Sequence, residues 1–258
     1  MGAARVGAFL LIELRLDGHP IGSPKQRPRP RPRPRTVVAL EYYKAHPEHV
    51  SALVFGGPVF NWRAYAREAE AWTKQMSDSG QRAIAQWKKD GIDTTRSFKA
   101  ATDEFYAKFV WQRPIQADLD STNATFGAPQ YLYMQGAYEY VVPGTMKNYD
   151  QTSFLPQIKV PVLSVTGEFD EVGPRTIEKH ARLIPGAKFV LCKNAAHITT
   201  WDATDANVKD VREFARVVDK RRTYAARVAG LHGADRRLFV KSARASVCGF
   251  TRMRLFGA

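Results

Sequence analysis

Hydrophobic positions along the chain fall into two regimes that change abruptly at Val37. Before it, an apolar run over residues 6–14 is interrupted by Glu13. A Gly/Pro/Lys turn region follows, and then strict Arg-Pro alternation over residues 27–35. Alternating proline removes every second backbone donor and imposes polyproline II geometry, so this arm is expected to form neither helix nor strand. From Val37 onward, Val37, Val38, Leu40, Tyr42 and Ala45 predict a helix that stops before His46-Pro47. Residues 51–55 predict a short buried strand closed by Gly56-Gly57-Pro58.

Residues 60–149 are rich in Trp, Tyr, Lys and Glu at helical spacing and read as a mostly helical insertion. A strand at 160–166, a helix at 174–183 and a strand at 188–192 come next. A helix over 204–219 follows, with Val208, Val211, Phe214, Val217 and Val218 on its apolar face. Strands alternating with helices imply a parallel sheet flanked by helices, an α/β class. The expected organisation is an irregular basic arm (1–35), a core built from 36–59 and 150–219, a helical cap or lid (60–149) and a basic tail (220–258).

Charge changes this picture less than its total suggests. The net charge is +14, but residues 1–35 carry eight Lys/Arg against two Asp/Glu, and residues 220–258 carry ten against one. The body between them is close to neutral, so the basicity is no argument for a nucleic-acid function of the folded part. Two cysteines, Cys192 and Cys248, are too few for a disulfide framework and fit a reducing, cytoplasmic setting. The apolar run near the N-terminus has a single preceding Arg and no small-residue cleavage site, so it is not read as a signal peptide. No stretch approaches the roughly 20 apolar residues of a membrane span.

The chemistry sits in two strand-end motifs. Gly167-Glu168-Phe169-Asp170-Glu171 follows one expected strand, and Asn194-Ala195-Ala196-His197 follows the next. Open α/β sheets build their sites at such carboxyl ends. An Asp followed by a His in this order matches the last two members of a Ser…Asp…His triad, in which the carboxylate fixes the imidazole tautomer so that Nε2 can act as a base. The histidines His46, His49, His180 and His197 show no ligand spacing with cysteines or carboxylates, and neither a metal nor a cofactor is expected.

Longer stretches resemble one family. Residues 134–150 with 155–161, the acid loop 167–174, the histidine loop 195–202, and residues 41–50 with 53–58 are similar to proline iminopeptidases. These are α/β-hydrolases that remove N-terminal proline from peptides. The resemblance runs from about Val37 to Asp219. It implies an α/β-hydrolase fold with a partial parallel sheet and a helical lid, peptides with N-terminal proline as substrates, and a serine-type aminopeptidase activity. It also implies Asp170 as triad acid, His197 as triad base, and Glu139 and Glu171 as the carboxylates that hold the substrate's free amino group. Charge-assisted hydrogen bonds from an ammonium to carboxylates support that last assignment on physical grounds.

The departures are equally specific. The family's Gly-x-Ser-x-Gly-Gly nucleophile elbow precedes the helix that begins here near Val37, and that slot holds Arg33-Pro34-Arg35-Thr36. The family's His-Gly-Gly-Pro-Gly oxyanion loop and most of the sheet expected in the first hundred residues have no counterpart. Gly56-Gly57-Pro58 is read as a plain strand-end turn, and Ser23, followed by Pro24, is a poor nucleophile. The Arg-Pro run and the Arg-rich tail resemble GC-rich coding text read out of frame. The expectation is therefore a proline iminopeptidase-like chain without turnover. One alternative is a non-catalytic remnant that binds anionic partners through its basic arms. Another is an esterase or epoxide hydrolase of the same superfamily, against which Glu139 and Glu171 argue.

Overall fold

A computed structural model of the 258-residue chain describes residues 10–11, 35–125 and 128–229. The chain divides into two compact units, residues 1–211 and 212–258. In the first, the sheet has the order β1-β2-β3-β4: Leu10–Leu11, Leu53–Gly56, Val162–Gly167 and Lys188–Cys192. The last three are parallel, with Leu53 opposite Val162 and Leu163 opposite Lys188 in register. β3 is buried at all six residues, as a central parallel strand covered on both faces must be. β4, with Lys188 and Leu191 exposed, is an edge.

Helix α1 spans Arg35–Ala45, two residues earlier than the apolar pattern indicates. Helices α2 (Trp62–Thr73), α3 (Asp78–Asp90) and α4 (Arg96–Phe105) carry side-chain N-caps from Asn61, Ser77 and Thr95. α3 stops at Gly91 in the left-handed region (φ 71). Next come a π-helical turn at Tyr106–Val110, α5 (Gln116–Thr125) and α6 (Ala128–Met134). After β3 come α7 (Pro174–Leu183) and, beyond β4, α8 (Thr199–Asp202) and α9 (Thr204–Ala229). The expected mostly helical stretch and the strand–helix–strand rhythm are thus both present.

Two expectations are corrected. Leu10 and Leu11, inside the arm expected to be irregular, pair antiparallel with Phe55 and Val54. The free backbone edge of β2 accepts any extended apolar pair, a non-local match that periodicity does not reveal. The tail expected from Lys220 begins as helix, since α9 continues to Ala229 without a proline or glycine to stop it. The Arg-Pro run up to Pro34 and the chain after Ala229 lie outside the described residues.

Two apolar clusters organise the first unit. One gathers Leu40, Tyr43, Leu53, Phe55, Phe60, Ile158 and Val162 between α1 and the sheet. The other joins the aromatic residues of the helical stretch (Trp62, Phe98, Phe105, Phe109, Tyr140) to Val172, Ile177, Ile198 and Trp201. Those last four flank the two strand-end loops, so the helical stretch packs directly on the loops that carry the candidate chemistry. Leu163, fully buried as the second residue of β3, tests the dependence on this sheet. Leu163→Ala is expected to lower the unfolding free energy by about 2–5 kcal/mol in urea denaturation.

Candidate functional site

The glycine at the end of β3 sets the geometry. A Cβ at Gly167 would lie 2.0 Å from the Ala196 carbonyl oxygen and 2.4 Å from that of Ala195, so only glycine lets the acid and histidine loops run in contact. Phe169 N–H donates to the Ala195 carbonyl at 2.9 Å, and Glu168 N–H to that of Cys192 at 3.0 Å. Asp170, fully buried, accepts Val172 N–H at 2.9 Å on Oδ1 and the Thr166 hydroxyl at 2.8 Å on Oδ2. Its Oδ1 lies 2.9 Å from His197 Nδ1. Burial opposes charging of His197, but the Asp170 carboxylate outweighs it with help from Glu139, and the imidazole is held above its ordinary range.

Gly57 forms the wall behind this pair, which the reading of a plain strand-end turn did not foresee. It adopts φ +54, and a Cβ there would come within 2.4 Å of His197 Cε1 and 3.1 Å of Asp170 Oδ2. Its N–H is tied to the Val165 carbonyl at 2.8 Å. A Gly-Gly pair at a strand end was the signal, but nothing local says what packs against it.

The π-helical turn docks both loops. The Phe109 carbonyl accepts His197 N–H at 3.2 Å and Glu171 N–H at 3.2 Å, and the Val110 carbonyl accepts Ile198 N–H at 2.8 Å. Asp202 reinforces this from α8, accepting the N–H groups of Gln112, Arg113 and Ala196 at 2.7–3.1 Å. Phe109 and Val110 end the segment, where helix carbonyls have no intrahelical partner and are free to bridge.

Glu139 and Glu171 are both 4 % exposed. Glu139 accepts the hydroxyls of Tyr65 (2.8 Å), Tyr106 (3.1 Å) and Tyr131 (2.5 Å), and the Gln135 side-chain amide. Glu171 Oε2 is buried without a partner. Burial, then Glu139, then Asp170 push the Glu171 carboxyl well up, only partly offset by Tyr65. Burial and the Glu139 charge push the Tyr65 and Tyr131 hydroxyls up as well, which keeps them as donors. The four residues singled out by sequence are therefore one electrostatically coupled group. Tyr65, Tyr106 and Phe109 escaped notice because they lie 33 or more residues from the glutamates they bond, on elements without a motif of their own. Tyr131 is only eight residues from Glu139, and Asp202 closes the histidine-loop stretch, but neither carries a local sign of its role.

The expectation that the histidines lack ligand spacing needs correction at one place. His46, Glu48 and His49 bring their donor atoms within 4.8 Å of one another, because a one-turn 3₁₀ segment at Pro47–His49 brings these neighbours in sequence together.

Comparison with known proteins now adds to the geometry. The chain is 28% identical over 181 residues to a proline iminopeptidase of Heyndrickxia coagulans, covering 69% of this chain and 63% of that one. It is 27% identical over 175 residues to that of Lacticaseibacillus rhamnosus, covering 67% and 58%. The chain is related to the proline iminopeptidases. It spans about 63% of the length of the first of these relatives. The solved proline iminopeptidase of Mycobacterium smegmatis superposes with a TM-score of 0.67 at 23% identity, covering 72% of this chain and 63% of that one. VinJ superposes at 0.65 with 18% identity over 71% and 63%. The fold is accordingly that of an α/β-hydrolase, with a parallel sheet flanked by helices. No protein-family profile matches the chain. Among the described residues no helix is long and apolar enough to cross a membrane.

Two outcomes follow. Gly57→Ala places a methyl group where the His197 ring sits and strains a left-handed residue. Its unfolding free energy should fall by at least about 1 kcal/mol, read in urea; a loss within error would mean that the wall does not hold the pair. Glu171 keeps its proton in the native state to a pH at which the unfolded chain, with a carboxyl near about 4.3, has lost it. Stability should therefore fall as pH rises above that value, until the native group also ionises, by up to about 1.4 kcal/mol per pH unit. Glu171→Gln should flatten that fall, measured as unfolding free energy against pH.

Proposed function

We propose that the chain is a proline iminopeptidase-like serine hydrolase by descent, with a site shaped for the free N-terminus of a proline peptide. The observation that carries this reading is the buried Glu139 and Glu171 pair beside the His197–Asp170 pair. Burying two carboxyl groups together is costly, and the cost is relieved by a proton, as Glu171 tends to keep, or by a cation that joins them. A hydrolase of neutral esters or epoxides gains nothing from such a pair. An exopeptidase needs it, because a prolyl ammonium held by charge-assisted hydrogen bonds fixes the register of the scissile bond.

In this reading Asp170 orients the His197 ring through Nδ1, and Nε2 is the base for a nucleophile. Glu139 accepts the ammonium directly, and Glu171 either joins it after giving up its proton or remains a hydrogen-bond donor. The nucleophile elbow expected before α1 is replaced by Arg33-Pro34-Arg35, which cannot make the small-residue strand-to-helix turn the elbow requires. The chain as written is accordingly proposed to bind without turning over. A cytoplasmic setting fits the buried free thiol of Cys192, which burial pushes up to about 11. Anion binding through the Arg-Pro arm falls on residues outside those described and gains no support from the fold.

The test combines binding with turnover. L-Prolinamide should bind the full chain, and Glu139→Gln should weaken that binding at least about 10-fold, measured by calorimetry. A proline arylamide should show no release above background. Robust turnover abolished by His197→Ala would overturn the inactive reading. Equal binding of L-prolinamide by Glu139→Gln and the unaltered chain would overturn the amine pocket.

A further inference from the structure

Helix α1 ends at Ala45 because Pro47 disfavours the helical region at His46, which adopts φ −140 and ψ 58. The 3₁₀ turn at Pro47–His49 then brings positions three apart onto one side. The imidazoles of His46 and His49 consequently stack, with centroids 5.4 Å apart and planes within 10°. Glu48 reaches between them, its Oε1 lying 4.0 Å from His46 Nδ1 and 3.5 Å from His49 Nε2. All three side chains are exposed.

We propose that His46, Glu48 and His49 form a site for one divalent first-row transition ion of the zinc type, at the carboxyl end of α1. The donor set selects the ion. Two imidazoles and one carboxylate suit a borderline cation with three protein donors and a water, whereas calcium and magnesium require mostly oxygen. The geometry is close to what is needed. Bonds of about 2.0–2.2 Å in a tetrahedron put donors roughly 3.4 Å apart, against 3.5 and 4.0 Å for the two histidine–Glu48 pairs and within 4.8 Å for all three donors here. The in-plane lone pairs of the two stacked rings converge on one ion only when the rings turn out of parallel, which exposed side chains on a surface turn permit.

Two further observations point the same way. The Tyr42 hydroxyl lies 3.3 Å from His49 Nδ1. With Nδ1–H donating to the tyrosine oxygen, the lone pair of Nε2 faces Glu48, the arrangement by which outer partners orient metal-ligating histidines. The site also caps the negative end of α1, where a cation is favoured. A bound ion would clamp the end of α1 to the turn that leads into β2. The competing state is a simple ion pair between protonated imidazoles and Glu48, which gains little on an exposed surface.

The proposal does not depend on the reading of the hydrolase site, and its test reads metal alone. Zinc chloride is titrated into the full chain by competition with a chromophoric chelator, in parallel with His46→Ala, His49→Ala, Glu48→Gln and Tyr42→Phe. One equivalent should bind the unaltered chain. His46→Ala and His49→Ala should each weaken that binding at least about 10-fold, and Tyr42→Phe should weaken it by less. Zinc should raise the melting temperature of the unaltered chain and not that of His49→Ala. Because these residues are exposed, the variants should fold, which their melting in the absence of metal will verify. Absence of binding, or equal stoichiometry and affinity in His46→Ala and His49→Ala, would overturn the site.

Discussion

The site depends on one backbone carbonyl. The oxygen of Phe109 accepts the N–H of Glu171 from the acid loop and that of His197 from the histidine loop. It can do so because Phe109 lies in the last turn of the segment Tyr106–Val110, whose terminal carbonyls have no helical partner. Two loops from different strand ends thereby acquire one reference point in the helical stretch. The buried aromatic cluster beneath fixes that point, with Phe109 packed on Phe105 and Trp72. If the carbonyl moved, the imidazole and Glu171 would lose their relative positions together. The Asp202 contacts to Gln112, Arg113 and Ala196 make the same connection a second time through side-chain charge.

Electrostatics is the price of this arrangement. Asp170, Glu139 and Glu171 are carboxylates gathered around one imidazole, all nearly free of solvent. The structure manages them by division of labour. Asp170 is satisfied by Thr166, Val172 and His197, and Glu139 by three tyrosines and a glutamine. Glu171 is left with an oxygen that has no partner and responds by holding its proton. An unsatisfied buried carboxyl of this kind would favour a cation beside it, which is the role proposed for Glu171.

Much of this was legible in the chain. The helix at Pro174–Leu183 coincides with its expected bounds because Pro174 opens it and Ile177 and Ala181 bury one face, and the strand at Lys188–Cys192 because it pairs in register with β3. Asp170 and His197 were readable as a pair because each follows a strand closely, and strand ends are where parallel sheets gather side chains. What could not be read was contact over long sequence separation. Gly57 behind His197, Phe109 beneath both loops and the tyrosine cage on Glu139 depend on how the helical stretch folds back. No local period encodes that. The pairing of Leu10–Leu11 with β2 failed for the same reason. The His46, Glu48 and His49 group was missed differently: its spacing was present, but only the 3₁₀ turn places its donors together.

The proposed ammonium site of Glu139 and Glu171 is electrostatically coupled to His197. The most direct measurement is the titration of the His197 imidazole by NMR, alone and saturated with L-prolinamide or with its N-acetylated, uncharged counterpart. A cation between Glu139 and Glu171 offsets the negative field that raises the imidazole, so L-prolinamide should lower the His197 pKa while the neutral analogue leaves it unchanged. An unchanged pKa with saturating L-prolinamide, or the same shift with both compounds, would contradict the coupling on which the reading of the site rests.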